Sequence, residues 1–198
     1  LAQSILGGDL TSFLQRGPLG LDWVRDALSR DYSDIDSLSY PRNQVQLHPP
    51  LDPVSLRDGL CSETHFQNSL EAIGEEEIPE LFYERPFYYR TSHTEIAGHE
   101  DPVPWPEFGD DLDFELELAC VIGKEGTDLD EQQAADSIVG YTIFNDFSIR
   151  DYQSLDMSTM MGPSKCKNFK RGNVLGPCIV TADEFDPAGV AAEARVNG

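Results

Sequence analysis

The sequence predicts a mixed, β-rich α+β domain, and three observations carry that prediction. Short apolar or alternating runs of strand length stand at Phe87 to Arg90, Asp113 to Gly123 and Gly140 to Phe144. Helical patterns are few and short, and no repeat or low-complexity segment interrupts them. The chain's 198 residues suffice for one substantial core but not for two independent domains.

Residues 1 to 53 read as a helical and irregular extension. Asp9 can cap a turn containing Leu10, Phe13 and Leu14, which Gly17-Pro18 ends, and a second helical pattern runs from Leu21 to Leu28 with Trp23, Val24, Ala27 and Leu28 as its apolar members. A brief strand is expected around Val45 and Leu47. His48-Pro49-Pro50 closes it, and because proline donates nothing to a ladder, this strand belongs at an edge or in a linker.

Residues 54 to 198 hold the functional body. Ser55 to Ile73 is expected as a helix or helical turn, with Glu75-Glu76-Glu77 as its solvated exit. Asp58 and His65 are seven apart, nearly two turns, so on a helix they would share a face. Core packing is the expected role for most of the aromatics at Phe82-Tyr83 and Phe87-Tyr88-Tyr89. Further on come a proline-rich loop from Asp101 to Pro106, a loop from Lys124 to Asp130, and a short helix from Asp130 to Ser137. A buried strand then ends at Asn145-Asp146.

Charge and cysteine usage exclude several classes. Acidic residues number 36 against 14 lysines and arginines, a formal charge of −22 that repels nucleic acid and anionic membrane surfaces. No apolar run reaches the length of a membrane span, and no basic-then-apolar pattern stands at the start of the sequence. Cys61, Cys120, Cys166 and Cys178 lie far apart without paired spacing, so neither a disulfide framework nor a zinc site is indicated, and a reducing cytoplasm is the expected location. The chain begins at Leu1 and stops just after Asn197-Gly198, a hairpin turn signal with no return strand, so a fragment is expected.

The chemistry is concentrated around the Asp113 to Gly123 strand. Residues two apart share a face, so Glu115 and Glu117 point one way and Leu116 and Leu118 the other, and the following apolar run predicts a buried strand. Two carboxylates about 6.6 Å apart repel by roughly 2.5 kcal/mol at an effective dielectric near 20. A divalent cation, a lysine or arginine, or a solvated face would each relieve that repulsion. Asp146, at the end of a buried strand, would add a third oxygen ligand, or else cap its own turn. The absence of nearby His or Cys favours Mg²⁺, Mn²⁺ or Ca²⁺ over zinc.

Other residues could serve a substrate. Arg150 and Gln153 lie three apart, so one helical turn could aim both at a carboxylate, unless Arg150 pairs with an internal aspartate. Lys167 stands in a loop of a chain with only four lysines. His65 could act as a general base near neutral pH. Triad, phosphate-loop and dinucleotide patterns are missing.

Five stretches, RDGLCSETHF (Arg57 to Phe66), LDFELELACVIG (Leu112 to Gly123), GYTIFNDFSIRDYQ (Gly140 to Gln153), GPSKCKNF (Gly162 to Phe169) and LGPCIVTADEF (Leu175 to Phe185), resemble in order the motifs of the fumarylacetoacetate hydrolase family. The resemblance implies a mixed β-sandwich roll, incomplete at its C-terminus here, that dimerises, binds one divalent cation, Mg²⁺ before Mn²⁺ or Ca²⁺, and processes small oxo acids. It places Asp58, Glu115, Glu117 and Asp146 at the metal, His65 and Lys167 as catalytic residues, and Arg150, Gln153 and Tyr89 at the substrate. Four positions depart from the family pattern: Gly59, Leu60, Met157 and Asn168. Leu60 and Met157 stand where the true fumarylacetoacetate enzymes have tyrosines, which argues against fumarylacetoacetate itself. The family's acidic partner for the histidine would lie beyond Gly198, with Glu63 as a substitute.

The implied activity is hydrolysis of a C–C bond in a 1,3-dicarbonyl acid, with His65 activating water and Lys167, Arg150 and Gln153 stabilising the leaving enolate. The alternative keeps the metal and tautomerises, isomerises or decarboxylates an oxo diacid, which requires only a stabilised enolate. A non-catalytic cation-binding domain is the alternative of another class. Against it stand His65, Lys167, Arg150 and Gln153, which a purely structural ion would not need.

Overall fold

The computed structural model describes residues 9–30 and 39–198. Short helices are mixed with antiparallel strand pairs, in keeping with the α+β prediction. Asp9 caps α1 (Leu10–Leu14) by accepting a hydrogen bond from the Ser12 N–H at 2.7 Å. Helix α2 spans Pro18–Leu28 and so starts earlier than expected, because proline is pre-organised for the first helical position and Gly17, at φ +59°, makes the turn before it. Of its apolar members Ala27 is buried, whereas Trp23 and Leu28 are exposed. The expected strand at Val45 and Leu47 is absent. A 3₁₀ turn at Arg42–Gln44 runs into irregular chain, and no strand among the described residues supplies a ladder there.

The expected helix from Ser55 to Ile73 is instead two elements. Strand β1 (Leu56–Leu60) pairs antiparallel with β2 (Phe87–Thr91), and α3 (Glu63–Ala72) starts only after Ser62 caps it. The cross-strand pairs Leu60↔Phe87 and Leu56↔Thr91 decide the outcome, since strand pairing is tertiary and local propensity does not report it. Asp58 therefore sits on a strand and His65 on a helix, and the shared helical face does not exist. Helix α4 (Leu81–Glu84) packs on α3 through Phe66 and Phe82, with ring centroids 5.2 Å apart.

The main sheet is built on β4 (Leu116–Ile122) and β5 (Ile138–Asp146), antiparallel, with β7 (Asn173–Leu175) and β8 (Val180–Thr181) along the other edge of β5. A small pair, β3 (Leu112–Asp113) with β6 (Ser148–Ile149), flanks it. Between β4 and β5 lies α5 (Glu131–Ala135), entered through a capping box at Asp130 and Gln133. Helix α6 (Arg150–Ser158) follows β6 directly.

Phe13, Leu14, Val121 and Val139 form the core, with Leu10, Leu21, Val24, Leu51 and Ile179 packed against them. The N-terminal helices thus close one end of the sheet, and the carboxylates lie toward the other. The expectation of a buried apolar side to β4 is overturned. Leu116 is 37%, Leu118 46% and Ile122 63% exposed, with Ile143 of β5 at 51% beside them, while the acidic side is half-buried.

Candidate metal centre

Two backbone features bring the acids together. The Asp146 N–H donates to the Glu115 carbonyl at 3.1 Å, which sets the start of β4 beside the end of β5, and the β1–β2 register places Asp58 opposite Tyr89. Tyr89 then ties ribbon to sheet. Its hydroxyl lies 2.8 Å from Asp58 Oδ2 and also contacts Asp146 Oδ2. One carboxylate oxygen from each of Asp58, Glu115, Glu117 and Asp146 falls within 4.8 Å of the other three.

Two cations border this cluster. Lys167, 2% exposed, places Nζ 2.6 Å from Glu115 Oε2 and 2.8 Å from Asp146 Oδ2, and Asp146 is itself 0% exposed. Arg150, the first residue of α6, donates from Nε to Asp113 Oδ2 at 2.8 Å and from NH1 to Glu115 Oε1 at 2.6 Å and Gln153 Oε1 at 2.8 Å. The internal-aspartate pairing left open by the sequence is thus present, alongside the Arg150–Gln153 contact. Asp156 of α6 fixes the lysine loop, since its Oδ2 accepts the Ser164 and Cys166 N–H groups at 3.1 and 3.0 Å.

The electrostatics remain unbalanced: five carboxylates, counting Asp113, face two cations. Burial, reinforced by Asp58, Asp146 and Glu115, pushes the Glu117 carboxyl up to about 9. Asp146 is pushed to about 6 by burial, with Lys167 and Tyr89 opposing. Burial also raises Glu115, but Lys167 and Arg150 outweigh it and hold that carboxyl below its ordinary value. Tyr89 is driven far up by burial and by the charges of Asp146 and Asp58, so its hydroxyl stays protonated. Lys167 is lowered by burial and raised by Asp146 and Glu115, with the carboxylates winning.

The arrangement fits a hard divalent cation. Asp146 Oδ1 is buried without a hydrogen-bond partner, an orphaned anionic oxygen whose desolvation nothing on the chain offsets. One tyrosine hydroxyl carries one proton, so it cannot donate to Asp58 and Asp146 together. An oxygen-only ligand set in this geometry suits Mg²⁺, Mn²⁺ or Ca²⁺.

The predicted carboxylates, Lys167, Arg150, Gln153 and Tyr89 therefore converge, and His65 does not. Its imidazole is exposed, and no hydrogen bond or ion pair joins it to the cluster among the described residues; its backbone is engaged locally, the N–H by Ser62 Oγ at 3.2 Å and the carbonyl by Ser69 Oγ at 2.9 Å. Glu63, the candidate substitute partner, accepts the Tyr83 hydroxyl at 2.9 Å. Asp113 was missed. It continues the alternation of Glu115 and Glu117 by one step, which is the signal that could have found it.

A profile of the fumarylacetoacetate hydrolase C-terminal domain matches residues 55–198. The chain belongs to the fumarylacetoacetate hydrolase family. Among relatives, it is similar to the oxaloacetate tautomerase YisK of Bacillus subtilis, at 32% identity over all of this chain and 62% of the relative, and to the mitochondrial oxaloacetate tautomerase FAHD2A of Homo sapiens, at 30% over 96% of this chain and 56% of the relative. It spans less than two thirds of the length of these relatives. Among solved structures, a 2-hydroxyhepta-2,4-diene-1,7-dioate isomerase from Mycobacterium marinum matches with a TM-score of 0.57 and 27% identity over 81% of this chain and 53% of that one. The fold of the family and its mixture of helices and sheets are thus the fold of this chain. No helix among the described residues is long and apolar enough to cross a membrane.

Proposed function

We propose that this protein tautomerises or isomerises a small oxo diacid of the oxaloacetate class, with a divalent cation held by Asp58, Glu115, Glu117 and Asp146. This departs from the C–C hydrolysis that the family resemblance first implied. The observation that carries it is the position of His65. Hydrolysis needs a base to activate water, and the one histidine available for that task lies outside the cluster, whereas the donors that would stabilise an enolate oxygen lie inside it. The named tautomerase and isomerase relatives support the same reading.

A bound cation would act as a Lewis acid on the substrate's oxo group. The chain's own residues would do the rest. Lys167 Nζ keeps its proton and stays cationic, and the Tyr89 hydroxyl keeps its proton too, so both are fixed donors for an oxygen that gains negative charge as the α-proton passes to a carboxylate oxygen of the cluster, from which it returns to complete the other tautomer. Because Arg150 NH1 can only donate, the Gln153 amide must turn its oxygen toward it, leaving the NH₂ group for a substrate carboxylate. The near absence of solvent around Lys167 and Asp146 strengthens each of these interactions.

The test is a panel of oxo acids incubated with the protein and Mg²⁺, with products followed by mass and ultraviolet absorbance. Unchanged mass with shifted absorbance is the expected result. A cleaved pair of products would restore the hydrolase reading, and loss of carbon dioxide would indicate a decarboxylase.

A further inference from the structure

Asp113 has no assigned role, yet it engages two of the three guanidinium nitrogens of Arg150. Its Oδ2 accepts from Arg150 Nε at 2.8 Å and lies 2.7 Å from NH2, so one edge of the guanidinium is closed by a single carboxylate oxygen. Oδ1 accepts the Phe114 N–H at 2.8 Å, which fixes the aspartate's own rotamer. The backbone reinforces the pair. Asp113 lies opposite Ser148 in the β3–β6 ladder, and the Arg150 N–H donates to the Asp111 carbonyl at 2.8 Å, so the two side chains leave adjacent, mutually bonded segments.

With that edge held, NH1 has one direction left, and it meets Glu115 Oε1 and Gln153 Oε1. Glu115 Oε2 is taken by Lys167, so both oxygens of this carboxylate are oriented by cations whose own positions are fixed. We infer that Asp113 is a positioning residue: it locks Arg150 in the pose that aims Glu115 at the metal and turns the Gln153 NH₂ toward substrate. This rests on the reading of the four carboxylates as a metal centre. It also changes the role expected of Arg150, which cannot offer a planar fork to a substrate carboxylate while its Nε and NH2 edge faces Asp113 and NH1 donates to both Glu115 and Gln153. Without Asp113 the guanidinium is free to swing and grip Glu115 with two donors, drawing that carboxylate away from the cation.

The test is a double-mutant cycle with Asp113→Asn and Arg150→Met, read as Mn²⁺ affinity by calorimetry, with the melting temperature of the EDTA-treated protein as a check on folding. Partners that orient metal ligands typically contribute about 10–100-fold to affinity, and Asp113→Asn is expected to weaken Mn²⁺ binding by that order. In the Arg150→Met background the same change should alter the dissociation constant by no more than about twofold, the additivity limit for uncoupled positions. The KM for an oxo acid should also rise, because Gln153 loses its orientation. Should Asp113→Asn fail to fold, Arg150→Lys serves instead. It keeps a charge beside Glu115 but cannot reach Asp113 and Gln153 together, and it should weaken Mn²⁺ similarly. Wild-type affinity in the folded Asp113→Asn variant, or an equal loss in both backgrounds, overturns the inference while leaving the metal centre standing. A wild-type protein that binds no Mn²⁺ overturns both.

Discussion

The two faces of the β4–β5 sheet are made by the same alternation and treated in opposite ways. On one, Glu115, Glu117 and Asp146 are half-buried or buried among Lys167, Arg150 and Tyr89; on the other, Leu116, Leu118, Ile122 and Ile143 stand exposed. The usual inside-apolar rule is inverted over these residues. Charged groups are withdrawn from water here because cations satisfy three of the six oxygens of Glu115, Glu117 and Asp146, and the remaining imbalance would give the site its affinity for a cation. The lesson is that period-two patterning specifies which residues share a face but not which face is covered.

Removing the partner that permits burial should have the largest effect. Lys167→Met leaves Glu115 and Asp146 without their shared ammonium, and breaking such a buried pair typically costs about 3–5 kcal/mol. Urea unfolding of the metal-free protein should show a loss of that order, and wild-type stability would mean that the cations do not hold the acidic face.

Next comes pH. Glu117, near 9, and Asp146, near 6, hold protons in the folded metal-free protein that the unfolded chain releases near pH 4 to 5. The folded state then binds more protons, so stability falls as pH rises between the unfolded and folded values, through about 6 for Asp146 and about 9 for Glu117. Mn²⁺ must displace those protons. Its affinity should therefore rise from pH 5 to 9, with proton release visible as a buffer-dependent heat. A pH-independent affinity would contradict the raised carboxyls.

The apolar face should respond weakly. Leu118→Ala is expected to cost the 198-residue chain about 0.5 kcal/mol or less, as surface changes do. A cost in the range of about 2–5 kcal/mol, typical of buried leucines, would show that this face is covered in solution. The smallest effect is expected at His65. His65→Ala should leave turnover within about twofold, against the 10²–10⁴-fold loss of a general base.

These residues also mark how far the sequence could be read. The Glu115–Glu117 pair, the strand ending at Asp146, and the Arg150 and Gln153 spacing are local patterns of period 2 or 3.6, and they were legible. The family motifs supplied Asp58, Lys167 and Tyr89, which no local period connects to the glutamates. What escaped was tertiary. The β1–β2 pairing turned an expected helix into a strand and separated Asp58 from His65, and the hold of Asp113 on Arg150 depends on β3 meeting β6 across 35 residues of sequence. The exposed leucines escaped for a related reason, since burial depends on what packs across a face.

The central claim, that the acidic face is a divalent-cation site, is tested most directly by the melting temperature of the protein in EDTA and in Mg²⁺, Mn²⁺ or Ca²⁺, with Glu115→Ala alongside. At one hundred times the dissociation constant a bound ion stabilises the fold by about 2.7 kcal/mol. The account predicts a clear upward shift with at least one of the three ions and its loss in Glu115→Ala. A wild-type melting temperature unmoved by all three, or a shift that survives in Glu115→Ala, would contradict it.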